Sequence, residues 1–183
     1  MSVNTVWTID PAHTNVEFGV RHLMISTVKG RFADVTGTVA LDLENPTRAQ
    51  VDVTIAAASI DTRNADRDTH LRSPDFFDAA QFPTLQYVSR RVEQLPGGTF
   101  RVTGDLTIRG VTREVPLAAT LEGQGRDPWG GERVAFSATG KINRADFGLV
   151  WNAALETGGV LVGEEVKLTV EAELVRVQAK AAA

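Results

Sequence analysis

Hydrophobic and polar residues alternate along most of this chain. In the first clear run, Val16, Phe18 and Val20 fall on one face, and Glu17 and Arg21 fall on the other. A period of two is typical of a β-strand with one buried face. The same period recurs in residues 35–43, 51–55, 85–88, 100–108, 115–121, 134–142 and 166–174, with turn signals between the runs. The pattern predicts an all-β fold of about eight antiparallel strands in a closed or nearly closed barrel.

One segment, residues 59–89, interrupts this rhythm with a dense set of charges and a pair of phenylalanines. We predict a short helical insertion near residues 62–81, starting with one or two helical turns over residues 62–71. Ser73-Pro74-Asp75 is a helix-start pattern, with serine as the N-cap. Phe82 precedes a proline, which favours extended backbone and ends the helical part.

The charges of this insertion are spaced for helical ion pairs. Arg63 with Asp66 and Asp68 with Arg72 stand three and four residues apart, so we interpret them as structural. The apolar residues Leu71, Phe76 and Phe77 have a different role in our interpretation. We expect them to form a gate, with the insertion lying as a lid across one mouth of the barrel.

Whether the barrel is hollow decides what it can do. The inward rows are rich in valine, alanine and leucine, glycines stand at positions 37, 104 and 140, and aromatic residues make up 7% of the chain. Small inward residues favour an under-filled barrel, whereas an eight-stranded barrel can also be filled by its own side chains. If the barrel is hollow, the natural guest is a hydrocarbon chain. Residues 123–131 are predicted to be a glycine-rich loop.

The three histidines, His13, His22 and His70, are the main candidates for polar chemistry. None has a metal-specific spacing, so we predict no metal site. His22 ends an inward strand face, where it is either a hydrogen-bonded core histidine or a contact for a ligand head group. Arg144 and Asp146 are interpreted as an ion pair at a strand end, with a head-group contact for Arg144 as the second interpretation. No nucleophile elbow or phosphate-binding loop is present, so we predict no catalytic residues and no cofactor.

Composition narrows the function classes further. The net charge is −4, from 19 Lys+Arg and 23 Asp+Glu, and no basic run points to nucleic acid. There is no cysteine, and no apolar run is long enough for a transmembrane segment. Without a signal-like N-terminus, we expect a cytoplasmic protein, or a periplasmic one if a signal has been removed. We expect a single domain over residues 1–177 and a frayed tail over residues 178–183.

A series of short motifs, taken together, resembles the YceI-like, polyisoprenoid-binding family. They cover nearly the whole chain in order: Trp7, Ile9, Asp10 and His13; Val16, Phe18, Val20 and His22; Gly30 and Phe32; Ser59, Ile60 and Thr62; residues 67–71; residues 75–78 with 82–83; residues 104–112; and residues 142–148. The resemblance implies a lipocalin-like eight-stranded barrel with a helical insertion. It also implies an apolar cavity that binds a long-chain isoprenoid or quinone-like lipid.

The resemblance and the strand pattern together give a set of expected ligand-binding residues. They are Phe18, Val20, His22, Phe32, Val39, Val53, His70, Leu71, Phe76, Phe77, Val102, Phe136, Arg144, Trp151 and Val170. The first hypothesis is a lipid carrier, store or sequestering protein, with the head group near His22, His70 or Arg144. The second is an enzyme that uses His22 or His70 as a general base on an isoprenoid or quinone-like substrate. The third is a filled-barrel interaction module, such as a homodimer formed through an open sheet edge.

Overall fold

A computed structural model describes residues 5–178 and shows a closed, antiparallel β-barrel, as the alternation predicted. It has one α-helix, α1 (Ala65–Arg72), and 3₁₀ turns at Pro11–His13, Pro46–Arg48, Ala57–Ser59 and Arg144–Phe147. The strand segments are β1 (Thr5–Ile9), β2 (Asn15–His22), β3 (Ser26–Phe32), β4 (Val35–Leu41), β5 (Gln50–Ala56), β6 (Ile60–Asp61), β7 (Thr84–Gln94), β8 (Thr99–Ile108), β9 (Val111–Arg126), β10 (Glu132–Asn143) and β11 (Val162–Arg176).

Eleven segments make eight strands because three strands are broken in the middle. β1 and β2 are the two halves of the first strand, and both pair with β11. β3 and β4 are the halves of the second strand, and β5 and β6 are the halves of the third. The breaks line up across the sheet, where Ala56 N donates to Asp34 O and Ala33 N donates to Ser59 O. Pairing of β1 with β11 closes the ring. A closed ring removes the long open edge that the homodimer hypothesis required.

The two ends of the barrel are built differently. At one end, here called the lid end, lie α1 and the turns after it, residues 148–161 and the β2–β3 turn. At the opposite end lies a cluster of buried apolar side chains that we call the plug. The plug consists of Trp7, Val39, Leu41, Val134 and Leu174.

The helical insertion is present, but its start differs from the predicted one. Asn64 caps α1, its side chain accepting from Arg67 N at 2.9 Å. Ser73, which we predicted to be an N-cap, instead ends the helix: its backbone N–H and its hydroxyl both donate to His70 O. The prediction of a helix start at Ser73 was therefore wrong. Pro74 cannot continue a helix, so it marks the exit, and residues 74–82 form turns.

The glycine-rich stretch was also misjudged. β9 runs through Gly123 and Gly125 and pairs with β10 as far as Arg126, so only residues 127–131 form the turn. Glycine lowers strand propensity, but two long neighbouring strands hold this backbone in the ladder. The tail that we expected to fray lies outside the described residues from residue 179 onward. Within residues 5–178, α1 is far too short and polar to cross a membrane.

Candidate functional site: an apolar barrel cavity

The barrel is hollow. A cavity of about 660 Å³ runs through it and is lined by inward residues of all eight strands. This volume lies within the roughly 300–1,000 Å³ of sites that hold one small ligand. The filled-barrel hypothesis is therefore wrong.

The cavity is elongated because its walls are long strands. β8 alone has ten residues and lines the cavity from Phe100 to Ile108, a length of roughly 26 Å at about 3.3 Å per residue. The wall positions alternate along each strand and are almost all valine, leucine, isoleucine or phenylalanine. An elongated apolar volume of this kind suits a single slender hydrocarbon.

The inward glycines do not leave holes, contrary to the expectation that they enlarge the cavity. The Tyr87 ring lies over Gly104, where an added Cβ would stand 2.7 Å from Tyr87 Cζ. Leu117 covers Gly140 in the same way, and Ile9 reaches over Gly37. At each glycine a larger neighbouring side chain thus occupies the space that a side chain would take, so no hole is left in the cavity wall.

All fifteen side chains expected at the ligand site lie on the cavity wall. Seven form the strand-built path that we expected for a hydrocarbon tail: Phe18, Val20, Val39, Val53, Val102, Phe136 and Val170. The other eight, His22, Phe32, His70, Leu71, Phe76, Phe77, Arg144 and Trp151, line the same cavity. That these residues bind a ligand remains a prediction.

The segment between β6 and β7 lies over the lid end and contributes seven residues to the wall, from Thr62 to Phe77. Phe77 packs edge-on against Phe32, with ring centroids 5.7 Å apart. Phe76 is buried, and its carbonyl accepts from Arg109 Nη1 at 3.0 Å. Both aromatic rings therefore face the barrel lumen.

The charges of this segment hold it to the barrel through the backbone. The expected ion pairs Arg63–Asp66 and Asp68–Arg72 do not form among the described residues. Asp68 instead accepts from Thr62 N and Thr62 Oγ1, at 2.9 and 2.5 Å. Arg72 donates to the carbonyls of residues 58 and 60, at 2.8 and 2.9 Å. Helical spacing suggested pairing between side chains, but the neighbouring β5–β6 connection offers carbonyls at closer range.

His70 stands in an aromatic cluster at the lid end. Its ring packs edge-on against Phe76 and Trp151, at centroid distances of 5.1 and 4.7 Å. Its Nε2 lies 2.8 Å from Asp75 Oδ2. The residue is thus fixed by packing on two sides and by one carboxylate.

Arg144 is buried, with 6% of its surface exposed. Its guanidinium donates to four backbone carbonyls, those of Leu149, Trp151, Val162 and Gly163, at 2.6 to 3.2 Å. Burial lowers the pKa of this guanidinium from its usual value. The expected Arg144–Asp146 ion pair was wrong, because the carbonyls of residues 148–163 surround the guanidinium. Arg144 therefore anchors the segment between β10 and β11.

His22 lines the wall at the end of β2. It is half-buried, and its imidazole makes no hydrogen bond to any described residue. The interpretation of His22 as a hydrogen-bonded core histidine was therefore wrong. Seven polar residues of the wall are partly or fully exposed. Five of them lie at the lid end, where the cavity reaches solvent: Arg21, His22, Asp66, Arg67 and His70.

Sequence reasoning missed Tyr87. This residue is buried at the cavity wall, and its hydroxyl lies 3.0 Å from both Val102 O and Val115 O. Burial raises the pKa of the phenol above its usual value. The alternation of strand side chains could have identified it, because Tyr87 follows Leu85 by two positions and both face inward.

A cluster of titratable groups also lies outside the cavity, near the plug end. Ligand atoms of Asp10, His13 and Glu173 lie within 4.8 Å of one another. Arg133 donates to both Asp10 and Glu173 and supplies the positive charge between them. This cluster ties the first strand to β10 and β11.

Comparison with known proteins adds to this geometry. The family model described as "YceI-like domain" matches residues 7–174. Protein YceI of Escherichia coli O157:H7 is 46% identical over 137 residues, which are 75% of this chain and 71% of that protein. UPF0312 protein MW2606 of Staphylococcus aureus (strain MW2) is 39% identical over 170 residues, 92% of this chain and 96% of that protein.

Solved structures show the same architecture. The Campylobacter jejuni YCEI protein aligns with a TM-score of 0.73 at 32% identity, covering 86% of this chain and 90% of its own. Burkholderia cenocepacia BcnA aligns with a TM-score of 0.79 at 23% identity, over 90% and 98% of the two chains. A polyisoprenoid binding domain from Saccharophagus degradans aligns with a TM-score of 0.66 at 13% identity, over 95% and 99%. The last two, at such low identity, establish likeness of fold.

Proposed function

The chain belongs to the YceI-like domain family, and from that premise we propose that it binds a long-chain isoprenoid or a related amphiphilic lipid as a carrier, store or sequestering protein. The observation that carries the proposal is the elongated apolar cavity, which borders the apolar plug at one end and is edged by polar groups at the other. The Saccharophagus degradans neighbour, named a polyisoprenoid binding domain, shares this fold and supports the ligand class.

Hydrocarbon burial supplies the affinity in this proposal. Each CH₂ group moved from water into an apolar site contributes about 0.8 kcal/mol. Ordering of a flexible chain opposes this gain, so the affinity falls well below the sum over all its groups. Tight binding therefore needs few polar contacts, which fits a wall that is apolar along most of its length.

The polar end of the ligand belongs at the lid end. The imidazole of His22 makes no hydrogen bond within residues 5–178, so it can donate to or accept from a head group. Arg144 has five N–H groups and uses four of them on carbonyls, which leaves one Nη2 N–H for a ligand. His70 lines the same end but is already engaged by Asp75. We therefore place His22 first among the head-group contacts.

The geometry supports a binding protein more than an enzyme. A general base is held in position by a further hydrogen bond, as in catalytic triads, and His22 has no such partner among the described residues. His70 has a carboxylate partner, but its ring is packed between two aromatic side chains. Neither histidine is accompanied by a nucleophile at hydrogen-bonding distance in residues 5–178.

Native mass spectrometry of freshly purified protein tests the proposal. We expect a bound species of lipid mass at near-equimolar amount, or uptake of added polyprenol in a one-to-one complex. Absence of both, in protein whose fold is verified by circular dichroism, would overturn the proposal. Release of a chemically altered lipid from a bound polyprenol or quinone would instead support the enzyme hypothesis.

A further inference from the structure

The β2–β3 turn at the lid end exposes apolar side chains beside the cavity mouth. Met24 and Ile25 are 60% and 77% exposed, although they directly follow the cavity-lining His22. Residues 148–161 present Val150 and Val160 at the same end of the barrel. We call these four side chains, Met24, Ile25, Val150 and Val160, the apolar rim.

The rim is joined to the mouth by direct contacts. Leu23 N donates to Leu161 O at 2.9 Å, and a Cβ added at Gly159 would lie 3.6 Å from Met24 Cγ. Arg144 donates to the carbonyls of Leu149 and Trp151, which flank Val150. The Val150 side chain is therefore exposed, while its two neighbours pack inward. The rim is therefore continuous with the wall of the cavity.

The turn that carries the rim has an unusual sequence for its backbone. Leu23 and Met24 both have positive φ, 54° and 64°, and Ile25 N donates to His22 O. Turns of this kind favour Asn-Gly, because most side chains are strained at positive φ. Met24 occupies one of these strained positions and is 60% exposed, which indicates that exposure of this apolar side chain matters more than turn stability.

Charge distribution identifies the partner. Between residues 18 and 33 the chain has three cationic side chains, Arg21, Lys29 and Arg31, and no Asp or Glu, although the protein is acidic overall. Arg31 is paired with Asp61, whereas Arg21 and Lys29 have no carboxylate within 4 Å among the described residues. Arg21 donates to Met24 O and so stands beside the rim.

Acidic groups also lie at the lid end, among them Asp66 and Asp146, but none of those in the described residues forms an ion pair with Arg21 or Lys29. On the adjoining strand, Glu165 is paired with Lys141, and Glu164 accepts from Asn143. Glu156 lies in the turn before Gly158 on the other side of the rim. The β2–β3 turn itself thus has apolar residues, Met24 and Ile25, at its tip and cationic residues, Arg21 and Lys29, on the two strands that flank it.

We propose that the lid end docks on the surface of a phospholipid bilayer, with Met24 and Ile25 inserted and Arg21 and Lys29 against the phosphates. Apolar side chains backed by cations bind the interface of anionic membranes. Four side chains are far fewer than the roughly 20–30 residues a side of a stable protein interface, which disfavours a second copy as the partner. The inference rests on the proposed function in one respect: docking would let a lipid pass between bilayer and cavity without crossing water.

Site-specific fluorescence tests the docking directly, since the chain has no cysteine. Ile25→Cys and Trp129→Cys each accept one environment-sensitive nitrobenzoxadiazole label. Trp129 is the matched control because it is 87% exposed in the β9–β10 turn at the opposite end. With vesicles of equal phosphatidylcholine and phosphatidylglycerol, the label at position 25 should brighten and shift to the blue, and the label at 129 should not. No response at 25, or equal responses at both positions, would overturn the proposal.

A second variant separates docking from ligand binding. Met24→Asn with Ile25→Ser suits the positive φ of the turn and removes the apolar tip, so the fold should be retained. We expect vesicle binding to fall by roughly tenfold or more, because interfacial affinity follows the buried apolar area. Uptake of a water-soluble short-chain prenol should be unchanged. Vesicle binding as strong as that of the unmodified protein would contradict the docking proposal. Docking without any prenol uptake by the unmodified protein would leave docking in place and overturn the proposed function.

Discussion

The ring of Phe18 fills the space beside the Cα of Gly30, its partner across the β2–β3 pair. A Cβ added at Gly30 would stand 2.4 Å from Phe18 Cζ and 2.8 Å from Thr62 Cγ2. Phe18 in turn contacts Phe32, with ring centroids 5.8 Å apart, and Phe32 contacts Phe77 of the lid. A missing side chain on one strand thus lets an aromatic row connect the barrel wall to the lid.

Replacement of Gly30 by alanine should push the Phe18 ring into the cavity. We expect Gly30→Ala to lower the free energy of unfolding by about 1–3 kcal/mol, the usual cost of overpacking, and to weaken lipid binding. Urea denaturation and ligand titration measure the two effects. Gly123→Ala is the matched control, because its Cβ would meet nothing within 4 Å, and it should be close to neutral. A Gly30→Ala variant as stable as the control would show that the Phe18 contact is loose.

Blocking the lumen should abolish lipid uptake without unfolding the barrel. Val102 lines the cavity, whereas Arg101 on the same strand is exposed on the outer face. Because the cavity holds about 660 Å³, it can accept an indole ring, and we expect Val102→Trp to fold but lose binding of a long prenol. Arg101→Trp, one residue away, should bind normally. Equal binding by both variants, measured by native mass spectrometry, would place the ligand elsewhere.

Arg144 should contribute to stability more than to ligand affinity. Arg144→Met leaves four carbonyls without a donor, so we expect a loss of about 2–4 kcal/mol in unfolding free energy. Arg144→Lys should rescue only part of this loss, because an ammonium group cannot reproduce the planar fork. Hydrogen exchange should rise first in residues 148–163. Normal stability combined with lost lipid binding would instead make Arg144 a head-group residue.

His22 should act on the head group alone. Its imidazole has no hydrogen-bond partner in the part of the chain that the structure describes, so His22→Ala leaves no buried group unsatisfied and should leave thermal stability nearly unchanged. One hydrogen bond is worth roughly 0.5–1.5 kcal/mol, so affinity for a prenol should fall about three- to tenfold. Affinity for the corresponding hydrocarbon without a hydroxyl should not change. Equal losses for both ligands would indicate that His22 contributes by packing.

Stability at low pH should depend on Asp10. Its hydrogen bond with Arg133, followed by one with His13, lowers the pKa of the carboxyl from 3.8 to about 2. The ionised form is favoured by folding, so this contribution is fully present above about pH 4 and is lost as the pH falls toward 2. Asp10→Asn should therefore destabilise the protein at pH 7, and the difference in melting temperature should shrink between pH 4 and pH 2. A difference that is constant across this range would exclude the charge as its origin.

The barrel and its wall follow from strand periodicity. Because side chains of a strand alternate between two faces, inward positions such as Phe18, Val102 and Val170 are readable once the strands are recognised. The lid was also readable, since charged residues and the Phe76-Phe77 pair break the alternation between two strands. The helix boundary was not, because Asn64 and Ser73 are both good caps and only the tertiary contacts of α1 decide between them.

The sequence by itself thus determined the alternation of polarity along the strands, the antiparallel barrel class and the residues that face inward. Whether that barrel is hollow or filled was decided by the tertiary structure. Tertiary structure alone decided the partners of the polar groups. Arg144 meets carbonyls up to 19 residues away, Arg72 meets those of the preceding connection, and His22 meets none among residues 5–178. The physical reason is that side-chain direction is a local property of a strand, whereas hydrogen bonds join whichever groups the closed barrel brings together.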